Sequence, residues 1–109
     1  QDKHIFLYFQ AQWCTYCTKL KETSFKDPAV IDLLQKHFVS ISIDTDQHKD
    51  LAMKWKVRGL PTLWFLKPDT SKISNIPGYV DAKQLTKVLD YIQTRSYDKL
   101  SFSEFSEKE

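Results

Sequence analysis

The chain has 109 residues, which is enough for one domain with its own core and too short for two. Its sixteen basic and fourteen acidic side chains are spread without a block of like charge, which makes nucleic acid and lipid surfaces unfavourable partners. A hydrophobic fraction of 41% and an aromatic fraction of 14% exclude a disordered chain.

The apolar runs are short. The longest, Ile5 to Phe9 and Leu63 to Leu66, have the length of strands, so we expect no direct membrane insertion. The chain opens with Gln1 directly before a predicted strand. We therefore expect that an upstream segment, with any targeting signal, was processed off or lies outside this sequence.

The first half of the chain predicts a strand, two helices and a second strand. Lys3 to Gln10 carry the near-continuous apolar run of a strand that is buried on both faces and central in a sheet. A helix that ends near Asp27 follows, and Asp27 with Pro28 forms the start of another helix. Phe38 to Ile43 alternate as a second strand, parallel to the first across a right-handed crossover.

The second half predicts a short helix, a hairpin and a final helix. The short helix lies around His48 to Trp55, and Leu63 to Leu66 form the third strand. A turn leads into an antiparallel fourth strand near Ile73 to Ile76. Asp81 with Gln84 resembles a capping box that opens an amphipathic helix. The order is thus a strand, two helices, a strand, a helix, two strands and a helix.

We expect residues 1–109 to form a single domain, with 96–109 as a C-terminal tail. The tail is polar, but Ser101 and Glu104 could cap one short helical turn. Phe102 and Phe105 could then dock on the body of the domain.

Cys14 and Cys17 are the candidate catalytic residues. Their spacing places both sulfurs on one face of a helical first turn, close enough for a disulfide. A cysteine at a helix N-terminus is stabilised as the thiolate and becomes a nucleophile near neutral pH. Cys14 holds that position, so we expect Cys14 to attack a substrate disulfide and Cys17 to resolve the mixed disulfide.

Other uses of a Cys-x-x-Cys pair fit this sequence less well. A structural zinc site needs four ligands, and the histidines form no tight ligand pair with the cysteines. Covalent haem attachment needs a histidine where this chain has Thr18. An inert disulfide over so short a loop would restrict the unfolded chain little. A thiol-based copper chaperone and a disulfide isomerase stay open as alternatives.

Two segments together carry a family resemblance. Phe9 to Cys17 (FQAQWCTYC) and Val57 to Thr62 (VRGLPT) resemble the thioredoxin superfamily. Cys17 to Val30, with the aromatic tail Tyr97 to Phe105, is similar to periplasmic SoxW-type proteins and to the C-terminal domain of DsbD-type reductases. The resemblance implies an α/β thioredoxin fold, with a central mixed four-stranded sheet flanked by helices.

The resemblance also implies a substrate groove and a redox role. It implies a cis Leu60-Pro61 bond beside the disulfide, and a third loop at Pro77 to Tyr79. Trp13, Tyr16, Leu60 and Tyr79 could form an apolar rim for an extended peptide. The expected substrate-binding residues are Trp13, Thr15, Tyr16, Leu60, Pro61 and Gly78. No cofactor and no metal ligand is expected, and the chain is expected to be a monomer.

The implied role is that of a periplasmic reductant. A membrane thiol reductase would supply electrons, and disulfide-containing proteins would receive them. The pair Thr15-Tyr16 agrees with a reductant, because it places no positive charge between the cysteines.

The chain departs from the family's pattern behind the second cysteine. Tyr8 stands where thioredoxin has a buried acid, and Ser42 stands where it has a lysine. DsbD-type domains carry an acid where this chain has Lys21, and Glu22 faces elsewhere. The usual proton acceptor for Cys17 is therefore missing.

The remaining polar and aromatic residues have structural interpretations. His4, His37 and His48 are expected to be solvated, and Trp55 and Trp64 to fill the core. Asp44, Asp46 and Asp50 lack the pattern of a calcium loop and are interpreted as a strand stop and a helix cap.

Overall fold

The computed structural model describes residues 2–107. Gln1, to which the expectation of an upstream segment is tied, lies outside the described residues, as do the last two residues of the predicted tail. The elements, in chain order, are β1 (His4–Gln10), α1 (Thr15–Glu22), α2 (Pro28–His37), β2 (Phe38–Asp44), α3 (Lys49–Lys54), β3 (Thr62–Leu66), β4 (Lys72–Pro77), α4 (Ala82–Gln93) and α5 (Phe102–Glu107). Short 3₁₀ turns follow α1 and α4, at Ser24–Lys26 and Ser96–Asp98.

The four strands form one mixed sheet in the order β2-β1-β3-β4. β1 pairs in parallel with β2, from His4 opposite Phe38 to Gln10 opposite Asp44. β3 is antiparallel to both β1 and β4. The α/β fold class and the central position of β1 are thereby confirmed.

The side chains of β1 alternate between two cores. Phe6 and Tyr8 pack with residues of α1, α2 and α4 on one face of the sheet. Leu7 and Phe9 pack on the other face, where α3 contributes Leu51. This two-residue period explains the continuous apolar run, because every position of the strand faces a hydrophobic layer.

Helix caps account for the boundaries of α2, α4 and α5. The Asp27 carboxylate accepts hydrogen bonds from two backbone amides of α2, the nearer at 2.9 Å from Ala29 N. Asp81 accepts from Gln84 N at 2.8 Å. Ser101 and Glu104 form a reciprocal box at the start of α5. Each such cap contributes about 1 kcal/mol to stability.

The tail docks through aromatic rings. Phe102 and Phe105 lie 5.4 Å and 5.3 Å from the ring of Tyr91, between ring centres. The Tyr91 hydroxyl also donates to Leu100 O at 2.6 Å. The short helix α5 therefore packs on α4 through these rings. No helix within residues 2–107 combines the length and hydrophobicity needed to span a bilayer.

The prediction that His4 is solvated is wrong. The tail returns over the start of β1 and covers His4, which is only 4% exposed. Its Nε2 lies 2.8 Å from the Tyr97 hydroxyl. Burial lowers the pKa of His4, the positive charge of Arg95 lowers it further, and Asp98 opposes both. His4 is therefore a neutral core residue that ties the tail to the sheet.

The two tryptophans border the core rather than fill it. Trp55 and Trp64 are half-buried against the α3 side of the sheet, with ring centres 5.4 Å apart. Lys72 Nζ lies 4.6 Å from the Trp55 ring centre and 5.2 Å from that of Trp64. A cation over the ring faces covers the aromatic surface that the core leaves open.

We expect the folded state to lose stability on mild acidification because of His4. The pKa of His4 is lower in the folded state than in the unfolded chain. The stability that neutral His4 contributes is therefore complete above about pH 6.5, and it is lost as the pH falls through the pKa of the folded state. Urea titrations at pH 7.5 and 5.5 should show a lower free energy of unfolding at the lower pH, and His4→Gln should reduce that difference.

His48→Gln is the matched control, because His48 is exposed on the loop before α3. This variant should keep the wild-type difference between the two pH values. An equal loss of pH dependence in both variants would contradict the assignment to His4.

Candidate active site

The two cysteines lie at the junction between β1 and α1. Cys14 is the N-cap of α1, with extended backbone angles, and its amide donates to Ala11 O at 3.2 Å. The Cys14 sulfur accepts a hydrogen bond from Cys17 N at 3.1 Å. No acidic residue stands in the first turn of α1 to oppose a negative sulfur. The predicted position of Cys14 at a helix N-terminus is confirmed.

Cys14 and Cys17 form a disulfide, and their Cα atoms are 5.2 Å apart. Both are largely buried, with 5% of Cys14 and 3% of Cys17 exposed. Cys14 borders an open surface depression of about 490 Å³. Cys17 borders a smaller cavity of about 150 Å³. Each cysteine therefore lines a different concavity, and Cys14 lines the larger of the two.

The segment before β3 packs directly against the disulfide. Leu60 contacts the cluster formed by Ala11, Cys14 and Cys17. The Leu60-Pro61 peptide bond is cis, as the resemblance implies, and Pro61 is buried. The backbone ahead of β3 thus lies beside the dithiol.

Gly78 joins the same edge through a backbone contact. Its amide donates to Pro61 O at 2.7 Å. Its φ of 101° lies in the region that a Cβ disfavours, so glycine allows the chain to turn sharply after β4. The structure therefore brings Leu60, Pro61 and Gly78 together with the cysteines.

Exposed side chains surround Cys14. Trp13 is 69% exposed and Tyr16 is 59% exposed, and Thr15 is exposed between Cys14 and Tyr16. Tyr79 lies beside the C-terminal end of α1, where its hydroxyl is 2.9 Å from Oγ1 of the C-cap residue Thr23. The rim thus continues from the dithiol along α1.

Asp46 is a site residue that the sequence did not reveal. Its carboxylate accepts a hydrogen bond from Trp13 Nε1 at 2.9 Å. The predicted strand stop is Asp44, which ends β2 and whose Oδ1 accepts a hydrogen bond from the Asp46 amide at 2.8 Å. The predicted helix cap is wrong, because α3 begins at His48 without a side-chain cap. One feature of the sequence could have indicated this contact. The predicted parallel pairing of β1 with β2 places the residues that follow both strands at one edge of the sheet.

A cavity of about 230 Å³ adjoins Trp13, the side chain that is hydrogen-bonded to Asp46. It lies between Trp13 and the segment that leads to the cis peptide bond. Its lining residues are Trp13, Thr45, Ala52, Val57, Arg58, Gly59 and Leu60. Leu60, which packs against the cysteines, thus also lines this cavity.

The predicted departures behind Cys17 are visible in the structure. Tyr8 lies opposite Ser42 in the sheet, and its hydroxyl donates to Cys17 O at 3.4 Å. Burial raises the pKa of Tyr8, so its hydroxyl stays protonated at neutral pH. Lys21 borders the cavity beside Cys17, whereas Glu22 lines the depression beside Cys14. Within the described residues, no carboxylate lines the Cys17 cavity.

The described residues hold no group of three or more histidine, cysteine, aspartate or glutamate side chains arranged to bind a metal ion. The two sulfurs are bonded to each other instead.

Comparisons with known proteins agree with this geometry. A family model described as a thioredoxin-like domain matches residues 1–93. The thiol:disulfide interchange protein DsbD of Photorhabdus laumondii is 32% identical over 95 residues, which cover 83% of this chain and 16% of that protein. A protein disulfide-isomerase of Hordeum vulgare is 30% identical over 91 residues, which cover 84% of this chain and 17% of that protein. The chain thus spans about a sixth of the length of these curated relatives.

Solved structures share the fold. A thioredoxin-fold protein from Helicobacter pylori superposes with a TM-score of 0.86 at 20% identity, over 98% of this chain and 80% of that one. A thioredoxin from Thermus thermophilus gives a TM-score of 0.75 at 27% identity, over 83% of this chain and 73% of that one.

Proposed function

This chain belongs to the thioredoxin-like family of thiol–disulfide oxidoreductases, and from that premise we propose that it reduces disulfide bonds of extracytoplasmic proteins through Cys14 and Cys17. The observation that carries the proposal is the position of the Cys14 sulfur. It lies at the N-terminus of α1, accepts a backbone hydrogen bond and borders an open depression.

The reaction is a two-electron exchange between dithiols and disulfides. In the reduced protein, the Cys14 thiolate attacks one sulfur of the substrate disulfide, and the other substrate sulfur leaves as a thiolate. The Cys17 thiol loses its proton and attacks Cys14, which breaks the mixed disulfide. The substrate departs as a dithiol, and the protein retains the Cys14-Cys17 disulfide.

The helix supplies the activation of Cys14. The free amides and the dipole at a helix N-terminus favour a thiolate over a thiol. The Cys17 amide already points at the Cys14 sulfur in the oxidised state, so the same hydrogen bond can stabilise the thiolate after reduction. Hydrogen bonds to a charged acceptor are stronger than those to a neutral one.

We assign substrate binding to the surface around Cys14. Trp13, Thr15 and Tyr16 would contact the polypeptide on one side. Leu60, Pro61 and Gly78 would contact it on the other side, with the Leu60 backbone pairing with an extended segment. Exposed aromatic side chains that flank the nucleophile favour a polypeptide over a small disulfide, because they offer apolar area that a small molecule cannot cover.

The direction and setting of the reaction are part of the proposal. Thr15 and Tyr16 add no positive charge that would stabilise the Cys14 thiolate further, which favours a reductant. The similarity to a protein named for thiol:disulfide interchange supports an exchange with other proteins. We therefore propose a monomeric periplasmic protein that receives electrons from a membrane thiol reductase and passes them to oxidised proteins.

Cys14→Ser should abolish the reduction of insulin disulfides, because no nucleophile remains at the helix N-terminus. Cys17→Ser should retain the attack of Cys14 on the substrate disulfide but not the resolving step. A mixed disulfide with the substrate should then accumulate and be visible on a non-reducing gel. Turbidity of reduced insulin measures the first effect. Full activity of Cys14→Ser would contradict the proposed mechanism.

The reduction potential should lie near −270 mV, as expected for a reductant of the thioredoxin type. Equilibration of the protein with glutathione buffers, followed by thiol trapping, measures it. A value near −180 mV would favour the isomerase alternative, and one near −120 mV would indicate an oxidant.

Trp13→Ala should reduce kcat/KM for insulin by about tenfold, because a buried aromatic contact with substrate is worth about 1 to 2 kcal/mol. The reduction of a small aliphatic disulfide should change by less than twofold. Met53→Ala is the control, since Met53 is 79% exposed on α3 and has no assigned contact with substrate. Equal losses for both substrates would contradict the role of Trp13.

A further inference from the structure

The cavity beside Cys17 has a positively charged side chain in its lining. It measures about 150 Å³ and is lined by Tyr8, Gln10, Ala11, Gln12, Cys17, Thr18 and Lys21. A volume of this size with glutamine and threonine side chains in its wall can hold a few water molecules. Within this lining, Lys21 is the group that carries charge at neutral pH.

The elements around Cys17 provide few other titratable groups. β1 contributes Tyr8, which stays neutral, and β2 places the uncharged Ser42 opposite it. The segment before β3 contributes the apolar Leu60. On α1, Lys19 and Glu22 line the depression on the Cys14 side.

Lys21 is well placed to act on Cys17. It follows Cys17 by four residues on α1, so the two side chains lie one helical turn apart on the same face. A negative group four residues before a positive one is the favourable order along a helix. Both residues also border the same cavity.

We propose that Lys21 stabilises the Cys17 thiolate electrostatically, so that Cys17 resolves the mixed disulfide without a carboxylate base. This inference rests on the proposed function. The Cys17 thiol releases its proton to water in the cavity, and the thiolate attacks the Cys14 sulfur. The bond between Cys14 and the substrate sulfur breaks, and its electron pair leaves with the substrate thiolate. Lys21 is a positioning residue here, because it bonds to none of the reacting atoms.

The physical need for Lys21 follows from burial. Cys17 is 3% exposed, and burial in apolar surroundings raises the pKa of a thiol. Ala11 and Leu60 supply such surroundings. A cation in the cavity lining offsets part of that rise. Lys21 is itself exposed, so solvent screens the attraction and the effect is modest.

The test measures the Cys17 thiol in a Cys14→Ser background, where Cys17 is the sole cysteine. Alkylation rates across pH give its pKa. Lys21→Gln should raise that pKa by about half a unit at low salt. At 1 M NaCl the difference should shrink by at least half, because salt screens a charge but not a packing change. Lys26→Gln removes the same charge beyond the end of α1, outside the cavity lining, and should leave the pKa unchanged.

A kinetic readout uses both cysteines. In single-turnover resolution of a mixed disulfide, Lys21→Gln should be about threefold slower below the thiol pKa, and equal to the parent protein above it. Lys21→Met repeats the test with an apolar side chain of similar length. A salt-independent shift, a shift equal to that of Lys26→Gln, or an unchanged pKa would overturn the role of Lys21. Failure of the parent protein to reduce insulin would instead overturn the proposed function.

Discussion

The site depends on the junction at which β1 ends and α1 begins. β1 is buried on both faces, so neither its register nor its direction can shift without moving Phe6 and Tyr8 out of one core and Leu7 and Phe9 out of the other. The chain then turns within a few residues and starts a helix with Cys14 as its cap. A rigid strand thus delivers one sulfur to the one place on a helix where backbone amides stabilise a negative charge.

The sheet pairings assemble the rest of the site at the same edge. Gln10 is paired with Asp44, which places the loop with Asp46 beside the end of β1. Phe9 is paired with Thr62 and Thr62 with Pro77, which places the segment before β3 and the turn after β4 at that edge too. Loops that are distant in the chain meet there because the central strand fixes the position of both neighbours.

The parts of the structure that local signals encode could be predicted from the sequence. The apolar run of β1 with its two buried faces, the cap at Asp27 and the cap at Asp81 each act over a few residues, and the structure has all three. His4 and Asp46 could not be assigned, because their partners, Tyr97 and Trp13, lie 93 and 33 residues away. Their roles follow from tertiary packing, and no residue pattern near either of them indicates the partner.

A disulfide across only three residues has a further consequence for the chemistry. Closing so short a loop removes little entropy from the unfolded chain, so this bond contributes little to the stability of the fold. α1 is held instead by packing, with Leu20 fully buried in the main core. The helix does not depend on the disulfide, so the dithiol form can keep the same backbone. The Thr18 amide donates to Cys14 O at 3.1 Å in the disulfide form. The balance between them is then set by the stability of the thiolates, and hence by the amides beside Cys14 and the charges around Cys17.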